Sequence, residues 1–119
     1  MSDIFKPRKH LLRDSSGVEP NTPLWQRVPK KDEQGNLLSD FMMLIPGLKS
    51  RTATEISKTL DVLSAVLARY QHVVVFADMN MRLNVLWISF RPTPGVFTEL
   101  PVAIKEAVPE AVLIASHPH

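Results

Sequence analysis

The sequence predicts a two-layer α+β sandwich, and three observations lead to this fold class. Residues 41–117 alternate apolar runs with amphipathic segments in the order strand, helix, strand, strand, helix, strand. Proline and glycine pairs punctuate the segments and mark the turns between them. Right-handed crossovers then place both helices on the same face of a four-stranded antiparallel sheet.

The first strand and first helix have the clearest patterns. Residues 41–45 form a near-continuous apolar run, as expected for a central strand covered on both faces. Thr52 and Glu55 have the spacing of a capping box, which predicts a helix from this point to about residue 70. Apolar residues at spacings of three and four give that helix one buried face. They are Ile56, Leu60, Leu63, Leu67 and Tyr70.

The second half repeats this plan with a shorter helix. Asn80 lies in the turn between the middle strands and is the residue there that tolerates a left-handed conformation. Thr98 is the predicted cap of the second helix, which places Pro101 in the tolerant first turn. The remaining strands are expected at residues 72–77, 83–91 and 111–115. The alternation of the third strand predicts Leu86, Ile88 and Phe90 as its helix-facing set.

The chain divides near Asp40 into an amino-terminal extension, residues 1–40, and the compact domain, residues 41–119. Four of the ten prolines lie in the extension, which is expected to be partly flexible. Residues 24–40 have the pattern of a hairpin whose second arm runs into the first strand. Trp25 in this stretch is interpreted as a plug over a sheet edge or core end, and a partner contact is the alternative.

Composition restricts the function classes. The 119 residues suffice for one domain, and 14 basic against 12 acidic residues leave a net charge of only +2. Both parts of the chain contain seven Lys or Arg and six Asp or Glu, which argues against a concentrated polyanion binder. The lack of cysteine excludes disulfides and thiolate metal sites. Together with a polar amino terminus, it predicts a cytoplasmic protein. The sequence has no Gly-rich phosphate loop and no His-x-x-x-His pair, so we expect no metal site and no cofactor.

The sheet face opposite the helices is predicted to be unusually apolar. Val85 and Trp87 on the third strand point away from the helix-facing set, and Met43 is one of two methionines on the first strand. A face left in water should be polar, so this one is expected to be covered. A second copy of the chain, the extension or a ligand are the three possible covers. The leading hypothesis is a homo-oligomer, a dimer or tetramer, with Met43, Val85 and Trp87 at its interface.

Element order and the Pro46-Gly47 turn between the first strand and first helix resemble the ferredoxin-like fold and, within it, the ACT domains. The resemblance covers about residues 41–117. In ACT domains this turn lies near an amino-acid site between subunits, and the domains pair through sheet edges or helices. The resemblance implies that Pro46, Gly47 and Leu48 are close to a small-molecule effector. It also implies a non-enzymatic, homo-oligomeric binding or regulatory module.

Two other function classes remain open. The first is an adaptor for a protein partner or single-stranded nucleic acid, which would use the sheet face, with Trp87 stacking on bases, and a basic arm. The basic residues of that arm are Lys6, Arg8, Lys9, Lys30 and Lys31. The second is a small enzyme in which His72 and His117, at the ends of two strands, approach one another for proton transfer. No sequence spacing links the two histidines.

Overall fold

The computed structural model describes residues 12–14 and 31–117 of the chain, and only the backbone of residues 13 and 14. These ranges contain two α-helices, α1 at Ala53–Arg69 and α2 at Val96–Ala107, and a 3-10 helix at Leu48–Ser50. Neither α-helix has the length and hydropathy needed to cross a membrane, within the described ranges. The strands are β1 at Leu12–Asp14, β2 at Ser39–Leu44, β3 at Val74–Asn80, β4 at Val85–Phe90 and β5 at Val112–His117.

The strands form one sheet in the order β1-β3-β4-β2-β5. Strands β3, β4, β2 and β5 pair with one another in antiparallel fashion, whereas β1 pairs with the outer edge of β3 in parallel. The four antiparallel strands and two helices form a ferredoxin-like two-layer sandwich, which confirms the predicted fold class. Strand β1 is an addition to that arrangement from the amino-terminal extension.

One face of the sheet packs against both helices and is called the helix face; the opposite one is called the second face. The prediction for β4 is confirmed, because Leu86, Ile88 and Phe90 are fully buried in the core on the helix face. Branched and aromatic side chains fill this layer because they pack well on a pleated surface. Their partners in the core include Phe41, Met43, Leu63, Val66, Leu67, Leu100, Ala103 and Ile104.

The predicted capping box opens α1. The backbone N–H of Glu55 donates to Thr52 Oγ1 at 3.2 Å, and the N–H of Thr52 donates to Glu55 Oε1 at 3.1 Å. Two amino-terminal donors that the helix cannot satisfy internally are therefore paired. The cap fixes where α1 begins, directly after the loop that follows β2.

The turn between β3 and β4 differs from its prediction, because β3 continues to Asn80. The left-handed residue is Asn84, with φ 58°, not Asn80. Asn80 contributes through its side chain, whose Oδ1 accepts the N–H groups of Arg82 at 3.0 Å and Leu83 at 3.1 Å. Asn84 also accepts from the N–H of Lys49 at 2.9 Å, and this bond ties the turn to the 3-10 helix.

The start of α2 was also predicted wrongly. The helix begins at Val96, and its cap is Gly95 with φ 86°, a left-handed conformation that glycine adopts without strain. Pro101 is consequently the sixth helical residue and lies in the second turn, where it removes one helical hydrogen bond. Thr98 is an exposed residue of the first turn. The backbone at the cap has a positive φ, which glycine adopts more easily than threonine.

Two described segments of the extension, residues 12–14 and 31–40, lie at the sheet. Leu12 packs against the core from β1, and Lys31 and Leu37 form an isolated antiparallel bridge before β2. Asp32 stabilises the turn between them, because its Oδ1 accepts the N–H of Asn36 at 2.8 Å. The predicted first arm of the hairpin, with Trp25, lies outside the described residues.

Candidate functional site

The turn expected to lie near a ligand follows β2 directly. Pro46 and Gly47 are exposed, whereas Leu48 is fully buried in the core. Gly47 has φ 71°, so glycine is needed here for its conformation. A Cβ at Gly47 would meet nothing within 4 Å, and the described cavities are lined by other residues. Pro46 and Gly47 thus form the turn and Leu48 anchors it in the core, while the closeness of these positions to a ligand stays a prediction.

The second face is apolar at its centre, as predicted, but the side chains there are buried. Trp87 is 7% exposed and Phe76 is 8% exposed, and Met42 packs against both. Met43 lies on the helix face and is 2% exposed, because neighbouring strand residues point to opposite sides. Met42 is therefore the methionine that accompanies Trp87. Of the three predicted interface residues, the structure brings together only Val85 and Trp87 on this face.

A row of polar residues crosses the second face near one end of the sheet. Asp40 on β2 is the cross-strand partner of Ser89 on β4 and of His117 on β5. His117 Nδ1 lies 2.6 Å from Asp40 Oδ1. Ser89 Oγ is buried and finds no hydrogen-bond partner among the described residues. The carboxylate thus lies between the hydroxyl and the imidazole, so the ring is not placed to take a proton from Ser89.

The two histidines of the enzymatic hypothesis lie at the same end of the sheet but are separated by strand order. His117 is on β5, and His72 precedes β3, with β2 and β4 between them. Three strand spacings amount to about 14 Å, too far for a shared proton. The described residues therefore do not bring these groups into one catalytic arrangement.

Strand β5, at the edge of the sheet, has a run of exposed apolar residues. Val112, Leu113 and Ile114 are 46%, 48% and 48% exposed, although they are consecutive residues of a well-formed strand. No charged residue occurs from Ala111 to Ser116. A β-bulge interrupts the pairing with β2 at Ile114. Edge strands of monomeric proteins are normally shielded by charges, proline or short length, and among the described residues β5 has only the bulge.

A cavity of about 350 Å³ lies at the end of the sheet where β4 passes into α2. Its lining is mainly apolar, with Ser39 and Thr93 as the hydroxyl groups. This volume is at the lower end of the range for small-molecule sites. The other lining residues are Phe90, Pro92, Pro94, Gly95 and Phe97.

The nucleic-acid hypothesis has little support in the described residues. Base stacking needs an accessible aromatic face, and Trp87 is buried. Lys31 is exposed beside the turn before β2. The other residues of the predicted basic arm, Lys6, Arg8, Lys9 and Lys30, lie outside the described ranges.

An ion pair links the segment before β5 to the loop before α1. Arg51 Nη2 donates to Glu110 Oε2, and Arg51 Nη1 donates to Thr59 Oγ1 at 3.2 Å. The pKa of Glu110 is lowered from its ordinary 4.5 by its own backbone N–H and by the Arg51 guanidinium, while desolvation opposes the change.

The lowered pKa of Glu110 predicts an acid-sensitive contribution to stability. A depressed carboxyl pKa stabilises the folded state above the ordinary value of 4.5, and this contribution disappears as the pH falls through the folded-state pKa. Because Glu110 is 38% exposed, we expect this contribution to be only about 0.2–1 kcal/mol. Urea unfolding at neutral pH and at about pH 3 should show a smaller loss for Glu110→Gln than for the unmodified chain. Equal losses would contradict the assignment.

Comparisons of the chain with protein-family models, curated proteins and solved structures found no match. The class that the described residues define is therefore a structural one, a ferredoxin-like sandwich with an added parallel edge strand and an apolar opposite edge.

Proposed function

We propose that this protein is a non-enzymatic, homo-oligomeric binding or regulatory module, similar in its action to ACT domains. The observation that carries the proposal is the half-exposure of three consecutive apolar side chains, Val112, Leu113 and Ile114, on an edge strand. Covering this strand removes apolar surface from water and pairs backbone groups that otherwise face solvent. The proposal keeps the self-association predicted from sequence. It places the interface on the edge strand β5 and not on the second face.

The geometry of the polar residues favours binding over catalysis. In the described part of the chain, Asp40 separates Ser89 from His117, and His72 lies on the far side of two strands. A nucleophile with a base in contact, which covalent catalysis requires, is not formed by these groups. The buried Trp87 likewise supports a structural role over the stacking of bases.

A small-molecule effector would bind in the cavity lined by Phe90 and Phe97. Apolar walls with a few hydroxyl groups fit a small ligand with an apolar body and one polar end, such as a free amino acid. Ser39 in this cavity is the first residue of β2, the strand that pairs with β5. Thermal unfolding with single amino acids as probes tests this part of the proposal. A panel without any stabilising member would contradict it.

Self-association is tested by light scattering, which measures the absolute mass of the full chain across a dilution series. We expect a dimer or tetramer at high concentration, with a mass that is a multiple of 13.4 kDa. Dilution should shift the mass toward the monomer if the subunits exchange. A constant mass of 13.4 kDa at every concentration would overturn the proposed homo-oligomer.

A further inference from the structure

We propose that two copies of the chain join edge to edge through antiparallel β5 strands, with the two-fold axis between Leu113 and Ile114. The inference rests on the proposed self-association and specifies how the subunits meet. The two sheets would become one continuous sheet of ten described strands, and each β5 would gain a second neighbour. An interface of this kind is isologous, because each copy presents the same strand.

The bulge in β5 selects the register. Val112 pairs with Leu44 and Ala115 pairs with Met42, so both Val112 and Ala115 point to the second face although they are three positions apart. Residues directly opposite one another in an antiparallel pair share a face. An axis between Leu113 and Ile114 places Val112 opposite Ala115 of the partner subunit and keeps both on the second face.

Leu113 and Ile114, the other two exposed apolar residues of β5, lie at the centre of the proposed interface. Leu113 lies opposite Ile114 of the partner subunit in this register, and the symmetric contact repeats across the axis. Both side chains are 48% exposed in the single chain, so each has surface left to bury. The pairing of Ser116 with Ala111 of the partner subunit completes a short ladder without any charged residue.

Charges at the two ends of β5 favour the antiparallel direction. Lys105 Nζ donates to the carbonyls of Pro109 and Ala111, at 3.0 and 2.9 Å, and so places a positive charge at the start of β5, where the charge of Glu110 is balanced by Arg51. Asp40 places a negative charge beside His117 at the other end. Antiparallel pairing brings the positive end of each strand beside the negative end of its partner. The Asp40 side chain is 15% exposed and contacts His117, so these charges orient the partners and add little affinity.

The other edge of the sheet is a poorer surface for a second copy. Strand β1 has three residues, two of which are charged, and its leucine packs against the core. Short length and charge are the features that protect natural edge strands from pairing. The contrast between the two edges supports β5 as the joining strand.

Disulfide trapping tests the register, since the chain has no native cysteine. In the full chain, the double variant V112C/A115C should cross-link into a covalent dimer under mild oxidation. Directly opposite Cβ atoms in antiparallel strands are close enough for a disulfide. In a dimer of the V112C single variant, the two cysteines would lie about 10 Å apart along the strands, which is too far. We expect the double variant to cross-link roughly tenfold or more faster than V112C alone. V62C and V102C, which are exposed on the helices, provide controls for random collision.

The outcomes separate this inference from the proposed function. Rapid cross-linking of V112C/A115C, and of a mixture of L113C and I114C chains, supports the interface. If light scattering shows an oligomer but neither pair cross-links faster than the helix controls, the edge interface is wrong and self-association stands. If the mass is monomeric, both fail. The L113C and I114C mixture also replaces the double variant should circular dichroism show that the latter is unfolded.

Discussion

Ile114→Lys is expected to convert the oligomer into a monomer at concentrations where the unmodified chain is associated. The lysine removes an apolar side chain that is half exposed in the single chain and places two like charges beside the two-fold axis. We expect association to weaken by about 2–3 kcal/mol, which is roughly 30- to 150-fold in the dissociation constant. Light scattering of both chains across the same dilution series measures the difference.

Val102→Lys is the matched control for this change. Val102 is 52% exposed on α2, so the control introduces the same charge at a similarly exposed valine away from β5. Its mass should follow the unmodified chain at every concentration. An Ile114→Lys chain that associates as strongly as Val102→Lys would show that β5 is not the interface.

Phe90→Ala has the largest expected effect on stability. Phe90 is fully buried on the helix face, and its ring lies 5.8 Å from that of Phe41 and 5.9 Å from that of Phe97. Truncation removes both ring contacts and leaves a cavity between the sheet and α2. We expect the free energy of unfolding to fall by about 3–5 kcal/mol, a large part of the stability of a domain of this size.

Val102→Ala controls for the effect of shortening an apolar side chain. This residue is half exposed, so the change should stay within about 0.5 kcal/mol in chemical unfolding. Phe90→Leu should lie between the two variants, because it keeps much of the buried volume. A loss below about 1 kcal/mol for Phe90→Ala would mean that the sheet end collapses around the missing ring.

The sequence allowed the fold class to be predicted because local patterns and topology rules agree in this chain. The capping box of Thr52 and Glu55 indicates where α1 begins, and the alternation of β4 indicates which of its residues face the helices. Asn80 and Thr98 were misplaced for a common reason. The turn and the cap required positive φ, and the residues that provide it are Asn84 and Gly95.

The exposed edge was harder to predict than the apolar face. The apolar run at residues 111–115 predicts a strand equally well in the middle of a sheet and at its edge. Its exposure depends on the strand order, which places β5 beside β2 alone in the part of the chain that the structure describes. The edge position of β5 follows from the order of the elements along the chain and not from the apolar run itself, because two crossovers of this kind put the last strand at the edge. Burial of Trp87 and Phe76 depends on tertiary packing, which alternation within a strand does not report.

Hydrogen exchange of the β5 backbone amides, measured at high and at low protein concentration, tests most directly whether a second copy covers this edge. We predict that the outward-facing amides of Val112–His117 are protected at high concentration and lose protection on dilution. Amides of β2, which has neighbours on both sides, should exchange equally slowly at both concentrations. Concentration-independent exchange throughout β5, in a sample that light scattering shows to be oligomeric, would contradict the account.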